Sequence, residues 1–344
     1  MTTPTWPPEE ELVEEAPPGA DQPWWQRALT GSSTAILLVL VGMIVAFALL
    51  RPEQFFAIAN ARNIATDAAV LLVVATGLTF VIITAGIDLS VGAVLVFSSV
   101  ISAKLMKELG GESWGVIIAG MLAAVAAGCA WGTLNGFLVT KARIPSFIVT
   151  LGTLGMALGS ALLITGGVDE REVPFKLIET IGTGRLFGEI PYVVLIAAAV
   201  ALVFGVVLSQ TRFGRYTYAI GSNEEGVRRT GVNVDRHLIK VYALGGTLAG
   251  LAGFLSLARF GTTAIAGNTT VNLDAIAAIV IGGTSLFGGI GTMLGTVIGV
   301  FIPAVLRNGF VIVGVQPFWQ QVAVGAVLIA AVYFDQLRRA RYAR

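Results

Sequence analysis

Charge is scarce in this 344-residue chain: Asp, Glu, Lys and Arg make up 12% of it, about half the ~25% of a soluble domain. Histidine and cysteine are scarcer still, with His237 and Cys129 the single example of each. One cysteine forms no internal disulfide, and neither residue has partners at metal-ligand spacing. A membrane enzyme needs clustered His, Asp or Glu facing a common site, and the lone histidine argues against one. Lysine occurs at 104, 107, 141, 176 and 240 and never follows a glycine. The phosphate-cradling G-x-x-x-x-G-K-[ST] loop is therefore missing. If ATP drives this protein, another chain binds it. The net charge of +1 leaves no basic field for nucleic acid. His237 reads as an exposed residue at a helix start.

What the chain has instead is apolar mass. Hydrophobic residues reach 55% and the mean hydropathy is +0.82. A compact core of this size cannot hide that surplus, so many of these side chains must face lipid. The fold class expected is an all-α, polytopic membrane protein, because only helices satisfy the backbone over such spans in lipid. A ruler of about 20 apolar residues per crossing gives about ten transmembrane helices, at 34–50, 64–84, 89–103, 114–140, 147–165, 192–209, 238–258, 273–287, 293–307 and 318–334. Residues 1–31 are proline-rich and acidic, and read as a disordered tail rather than a signal peptide. Residues 32–337 form the transmembrane domain, with a charged loop at 210–237. Residues 338–344 are a basic terminus.

Orientation follows from the arginines and lysines, which favour the cytoplasmic side. Lys141 and Arg143 flank one gap, and Arg212, Arg215, Arg228, Arg229, Arg236 and Lys240 crowd another. Arg338, Arg339, Arg341 and Arg344 close the chain. The stretch 168–190 carries five acids instead. Ten spans with both termini in the cytoplasm place every basic cluster inside and the acidic loop outside.

Two places break the apolar pattern. At 86–92, Asp88 and Ser90 lie between glycines. One reading is a broken helix lining a polar pathway, since an intramembrane carboxylate usually faces a cavity or a partner. The other is a short turn in which Asp88 caps the third span. At 282–291, Thr284 and Ser285 lie among five glycines. The two stretches share G-x-[DS]-L-x-x-G, and glycine-interrupted short helices in matching places mark transporter repeats. Close glycine-mediated helix packing explains the glycines too. Between spans, 212–240 is too long for a turn and too polar for lipid. Ser222, Asn223, Glu224 and Glu225 start a short helix there, with acids favourably placed on its dipole, and Gly231 ends it. Such a helix is a docking knob for a cytoplasmic protein.

With those residues in view, the chain resembles the ribose-type permease subunits of bacterial ATP-binding-cassette (ABC) sugar importers. The stretches that carry the resemblance are 85–93 (AGIDLSVGA), 144–153 (IPSFIVTLGT), 218–232 (YAIGSNEEGVRRTGV) and 273–292 (LDAIAAIVIGGTSLFGGIGT), with 317–321 also similar. It spans about 34–339. The resemblance implies the ABC importer permease fold in the bacterial cytoplasmic membrane, moving a monosaccharide or polyol. It implies a non-enzymatic subunit with no cofactor of its own, ATP and Mg being held by a partner ATPase. Its other partners would be an extracytoplasmic sugar-binding protein and a second copy or sister permease. Ser222, Asn223, Glu224, Glu225, Gly226 and Gly231 then form the coupling helix seated in the ATPase. Gly226 stands where the family usually has alanine, at a cost of about 0.8–1 kcal/mol in helix propensity. An ion-coupled carrier of a small polar solute is the alternative. It needs ionisable residues in several spans, where this chain offers Asp88, Asp274 and Arg259.

Overall fold

The computed structural model describes residues 32–268 and 270–316, together with residues 319, 322, 325, 326, 329 and 333. The acidic tail, most of the expected tenth span and the basic terminus lie outside the described residues. Eleven helices carry the description that follows. They are α1 (Ser32–Leu50), α2 (Ile58–Ile83), α3 (Val91–Leu109), α4 (Trp114–Thr140), α5 (Ser146–Thr165), α6 (Tyr192–Gln210), α7 (Arg212–Ser222), α8 (Glu224–Arg229), α9 (Val234–Phe260), α10 (Val271–Ile281) and α11 (Met293–Val313). Among the described residues the only sheet is a two-stranded antiparallel ribbon, β1 (Arg185–Leu186) with β2 (Ile190–Pro191).

Six helices, α2, α4, α5, α6, α9 and α11, are each long and apolar enough to cross a membrane. The sequence expectation of about ten is thus not reached among the described residues. Where the count falls short, the reason is local. The third expected span is α3, which runs on into Lys104, Lys107 and Glu108. The eighth stops after 11 residues at Gly282, and α1 contributes a shorter apolar stretch, Ile36–Leu50.

The core is organised by α2 and α9, both mostly buried, while α4, α5 and α6 expose most of their apolar surface. That exposure suits lipid, which is as apolar as the side chains it meets. Helices without a hydrophobic drive between them associate by close packing of small residues, and α4 meets α9 in this way. A Cβ added to Gly128 would fall 2.1 Å from the Gly246 carbonyl oxygen. In α11, Pro303 sits inside the helix, removing one backbone donor.

Charge separates the two ends. At one, Lys141 pairs with Asp235 at 2.9 Å and Arg228 with the same carboxylate at 2.7 Å. At the other, Glu170 takes Lys104 at 2.9 Å and Lys107 at 3.3 Å, and Arg62 pairs with Glu189. The first end also carries Arg229, Arg236 and Lys240 and is the basic end, while the second carries the 168–190 stretch with its five acids and is the acidic end. His237 differs from its expected exposure. It lies in the first turn of α9 but is buried, its Nε2 3.0 Å from Thr217 Oγ1 and its ring 4.6 Å from that of Phe213. The helix α7 folds back over it, which a reading of the stretch as open loop does not anticipate.

Candidate functional site

Between α2 and α3 the chain leaves helix for a few residues, and lipid supplies nothing to pair the backbone there. Side chains of α5 and α10 supply backbone partners, and α4 supplies one for the Ser90 hydroxyl. Ile87 N–H donates to Ser146 Oγ at 3.2 Å and Thr150 Oγ1 donates to the Ile87 carbonyl at 3.1 Å. Asn272 Nδ2 donates to the Leu89 carbonyl at 3.0 Å, and Asn135 Nδ2 to Ser90 Oγ at 2.8 Å. The oxygens of both carboxamides, Asn135 Oδ1 and Asn272 Oδ1, are buried and unpaired.

Within this segment Asp88 is 1% exposed. Its Oδ1 accepts the Ser90 N–H at 2.8 Å and the Ser90 hydroxyl at 2.6 Å. The helix cap itself is Ser90, which makes no side-chain capping bond. Asp88 thus closes a turn one step ahead of α3 rather than capping its first amides. The glycine is not the residue that turns the backbone here. The left-handed residue is Ala85, with φ 59°. Gly86 is needed for space, since a Cβ there would lie 2.6 Å from the Tyr242 hydroxyl.

The second motif builds a related turn. Phe287 N–H donates to Ser285 Oγ at 3.2 Å, the same two-residue reach as Ser90 to Asp88. Ser285 N–H then donates to the Ile290 carbonyl at 3.0 Å, and Thr284 is buried. The two motifs also meet in space. Gly289 N–H donates to the Ile83 carbonyl at 2.9 Å.

A third segment joins them. Tyr218 of α7 donates its hydroxyl to the Gly291 carbonyl at 2.7 Å. Farther along α7, a Cβ on Gly221 would sit 1.8 Å from the Ile83 oxygen and 2.6 Å from Gly289 N. So the end of α7 presses backbone to backbone on both breaks. One residue later the chain turns into α8. Asn223 rather than Ser222 is its cap, accepting Gly226 N–H at 2.8 Å, while Ser222 donates to the Tyr218 carbonyl at 3.0 Å. Glu224 pairs with Arg228 at 2.7 Å and Glu225 with Arg229 at 3.4 Å along the helix. No residue of α8 is buried, and Gly231 takes φ 84° just beyond its end.

Beside these elements a cavity of about 610 Å³ opens, lined by Gly86, Arg143, Ser146, Glu224, Arg228 and Tyr242 among others. Asp88, Ser90, Thr284 and Ser285 are not in its walls. The structure therefore brings the two motifs and the surface helix to one junction, but it keeps the motif side chains inside the protein. The residues that sequence reasoning missed are Asn135, Ser146, Thr150, Tyr218 and Asn272. For Asn135, Ser146, Thr150 and Asn272 the signal was a polar group inside, or at the mouth of, an apolar helix, whereas Tyr218 lies on the polar helix α7 and gave none.

A family model described as the permease component of branched-chain amino acid transport systems matches residues 60–332. The chain belongs to that permease family. Among curated proteins the permease is 37% identical to the ribose import permease protein of Escherichia coli K12, over 88% of this chain and 93% of that one. It is 35% identical to the fructose import permease protein of Rhizobium meliloti, over 90% and 87%. The D-allose transport system permease protein of E. coli K12 matches at 35%, over 90% and 93%. No solved structure matched the permease. It is a transport component rather than an enzyme.

Proposed function

We propose that this chain is the membrane-spanning permease subunit of an ABC importer that carries a monosaccharide or polyol into a bacterial cell. The observation that carries the reading is the junction beneath α8. A short helix with no buried residue and both signs of charge, anchored by Val227 on Ile220, Val234 and Leu238 and continuing from the end of α7 that rests on both helix breaks, is built to pass a push inward. In this reading α8 seats in a partner ATPase that holds ATP and Mg, so Glu224, Glu225 and the Asn223 cap form the coupling site. Asp88, Ser90, Thr284 and Ser285 shape the two breaks beside the substrate path. An extracytoplasmic sugar-binding protein delivers the solute to the acidic end, and a second copy or a sister permease completes the path.

In this reading the nine segments α1–α6 and α9–α11, with residues 318–334 as the expected tenth, are the crossings, and α7 and α8 lie outside them. Both termini then fall at the basic end, in the cytoplasm. The names of the relatives support a sugar as cargo and leave ribose, fructose and allose on equal footing.

The test is a double Glu224→Arg, Glu225→Arg variant, which inverts the charge of the helix tip. The expected result is a normal membrane level with loss of both ATPase copurification and uptake. Unchanged uptake would remove α8 from the coupling role.

A further inference from the structure

At the acidic end, away from both breaks, a second polar space remains unexplained. A cavity of about 330 Å³ opens between the start of α2, the end of α9, the start of α10 and the end of α11. Its walls carry two ion pairs, Asp67 with Arg259 and Asp274 with Arg307. Asn268 and the half-exposed ring of Phe260 also line it, with Val70, Leu71, Val271 and Ala304 as its aliphatic part. Arg259 also donates to the Thr66 carbonyl at 3.1 Å and lies 4.9 Å from the Phe260 ring centre.

The charges of this cavity sum to zero. A lone anion or cation entering would compete with a partner already in place, and in each pair one member, Arg259 or Asp274, is the more withdrawn from water, so losing its partner is costly. The pairs are nevertheless far from saturated, because a guanidinium has five N–H donors and a carboxylate about four acceptor sites. What suits such walls is a neutral ligand whose adjacent groups both donate and accept. In a vicinal diol, one hydroxyl donates to the carboxylate while its neighbour's oxygen accepts from the guanidinium, and neither ion pair opens. The volume lies at the lower edge of the roughly 300–1,000 Å³ found for small-molecule sites, and the Phe260 ring offers an apolar edge to a C–H face.

We propose that this cavity is a subsite for a neutral monosaccharide, held by vicinal hydroxyls that bridge the Asp67–Arg259 and Asp274–Arg307 pairs. The inference rests on the sugar-import reading and adds to it a place where the solute lodges within one permease chain before reaching the breaks at the other end.

The experiment uses the full-length permease in lipid nanodiscs, with D-ribose, D-fructose, D-galactose and D-allose as probes and saturation-transfer NMR as the readout. Uptake of the same sugars by cells carrying the complete transporter is measured in parallel. The sugar that is imported is expected to bind, and neither inorganic phosphate nor ethanolamine should displace it. Replacing both members of a pair, Asp274→Asn with Arg307→Gln, leaves no buried charge alone and should weaken binding by about tenfold or more, as the loss of charged hydrogen bonds does. Should that variant not fold, the more exposed pair, Asp67→Asn with Arg259→Gln, makes the same measurement. Glu189→Gln, which breaks the Arg62 pair outside the cavity, should leave binding unchanged. Import of a sugar that does not bind, binding indifferent to both pair replacements, or displacement by phosphate overturns the subsite and leaves the importer reading standing. Neither import nor binding of any of these sugars overturns both.

Discussion

Asp88 would ordinarily be expensive in an apolar protein, yet its Oδ1 is engaged twice by one neighbour, the amide and the hydroxyl of Ser90. Asparagine keeps a carbonyl oxygen in that position, so Asp88→Asn should retain both bonds and lower the melting temperature little. Asp88→Ala leaves the buried Ser90 amide without its acceptor, a penalty of about 1–3 kcal/mol, and should lower the melting temperature and uptake together. Melting curves and uptake for both variants check this. Loss of uptake by the asparagine variant at unchanged stability would instead make the charge itself the functional element. At this scale the sequence was informative about residue type more than about residue role. Asp88 and Ser90 were visible because polar groups stand out among aliphatic ones. That Ala85 turns left-handed while Gly86 makes room for Tyr242 was not visible, since the partner lies more than 150 positions away in the chain.

Helices were legible where a long apolar run ended on a local signal. The bounds of α4 agree with the expected span 114–140, because Ser113 caps its start at 3.3 Å from Val116 N and Lys141 follows its end. The charged stretch was less legible. It was read as a loop with one short helix, and the structure makes two helices, α7 and α8. The apolar side chains of α7 are spaced to cover His237 and the end of α2, and that footing only exists in three dimensions.

The segment between α5 and the β ribbon shows a further element-scale effect. The Lys104 ammonium beside Glu170, helped by the Glu172 amide and Lys107, outweighs burial and holds that carboxyl at about 2, below its ordinary 4.5. A depressed carboxyl contributes stability that is present above pH 4.5 and lost as pH falls towards about 2. Across that window the melting temperature should fall further for the native chain than for Glu170→Gln, which has no proton to gain there. Parallel curves for the two would detach Glu170 from the acid response.

Over the whole molecule, charge sorts by end more cleanly than any single span defines itself. The pairs made by Lys141 and Arg228 with Asp235 gather the α4–α5 connection, α8 and the start of α9 at one end. Glu170 and Glu172 gather α3 and the acidic loop at the other. The end that faces the cytoplasm is an expectation drawn from the insertion bias of arginine and lysine, and under the proposed function α8 lies inside. Two engineered cysteines check the assignment after Cys129→Ser removes the native thiol. Glu172→Cys should react in intact cells with a membrane-impermeant maleimide. Arg228→Cys should react only after the membrane is opened, since under the proposed function α8 lies on the cytoplasmic side. Both sites are substantially exposed, with side-chain accessibilities of 71% and 42%, so a failure to react reports the membrane and not burial. The opposite pattern would turn the molecule over and place α8 where no ATPase could reach it, and with that the importer reading would fall.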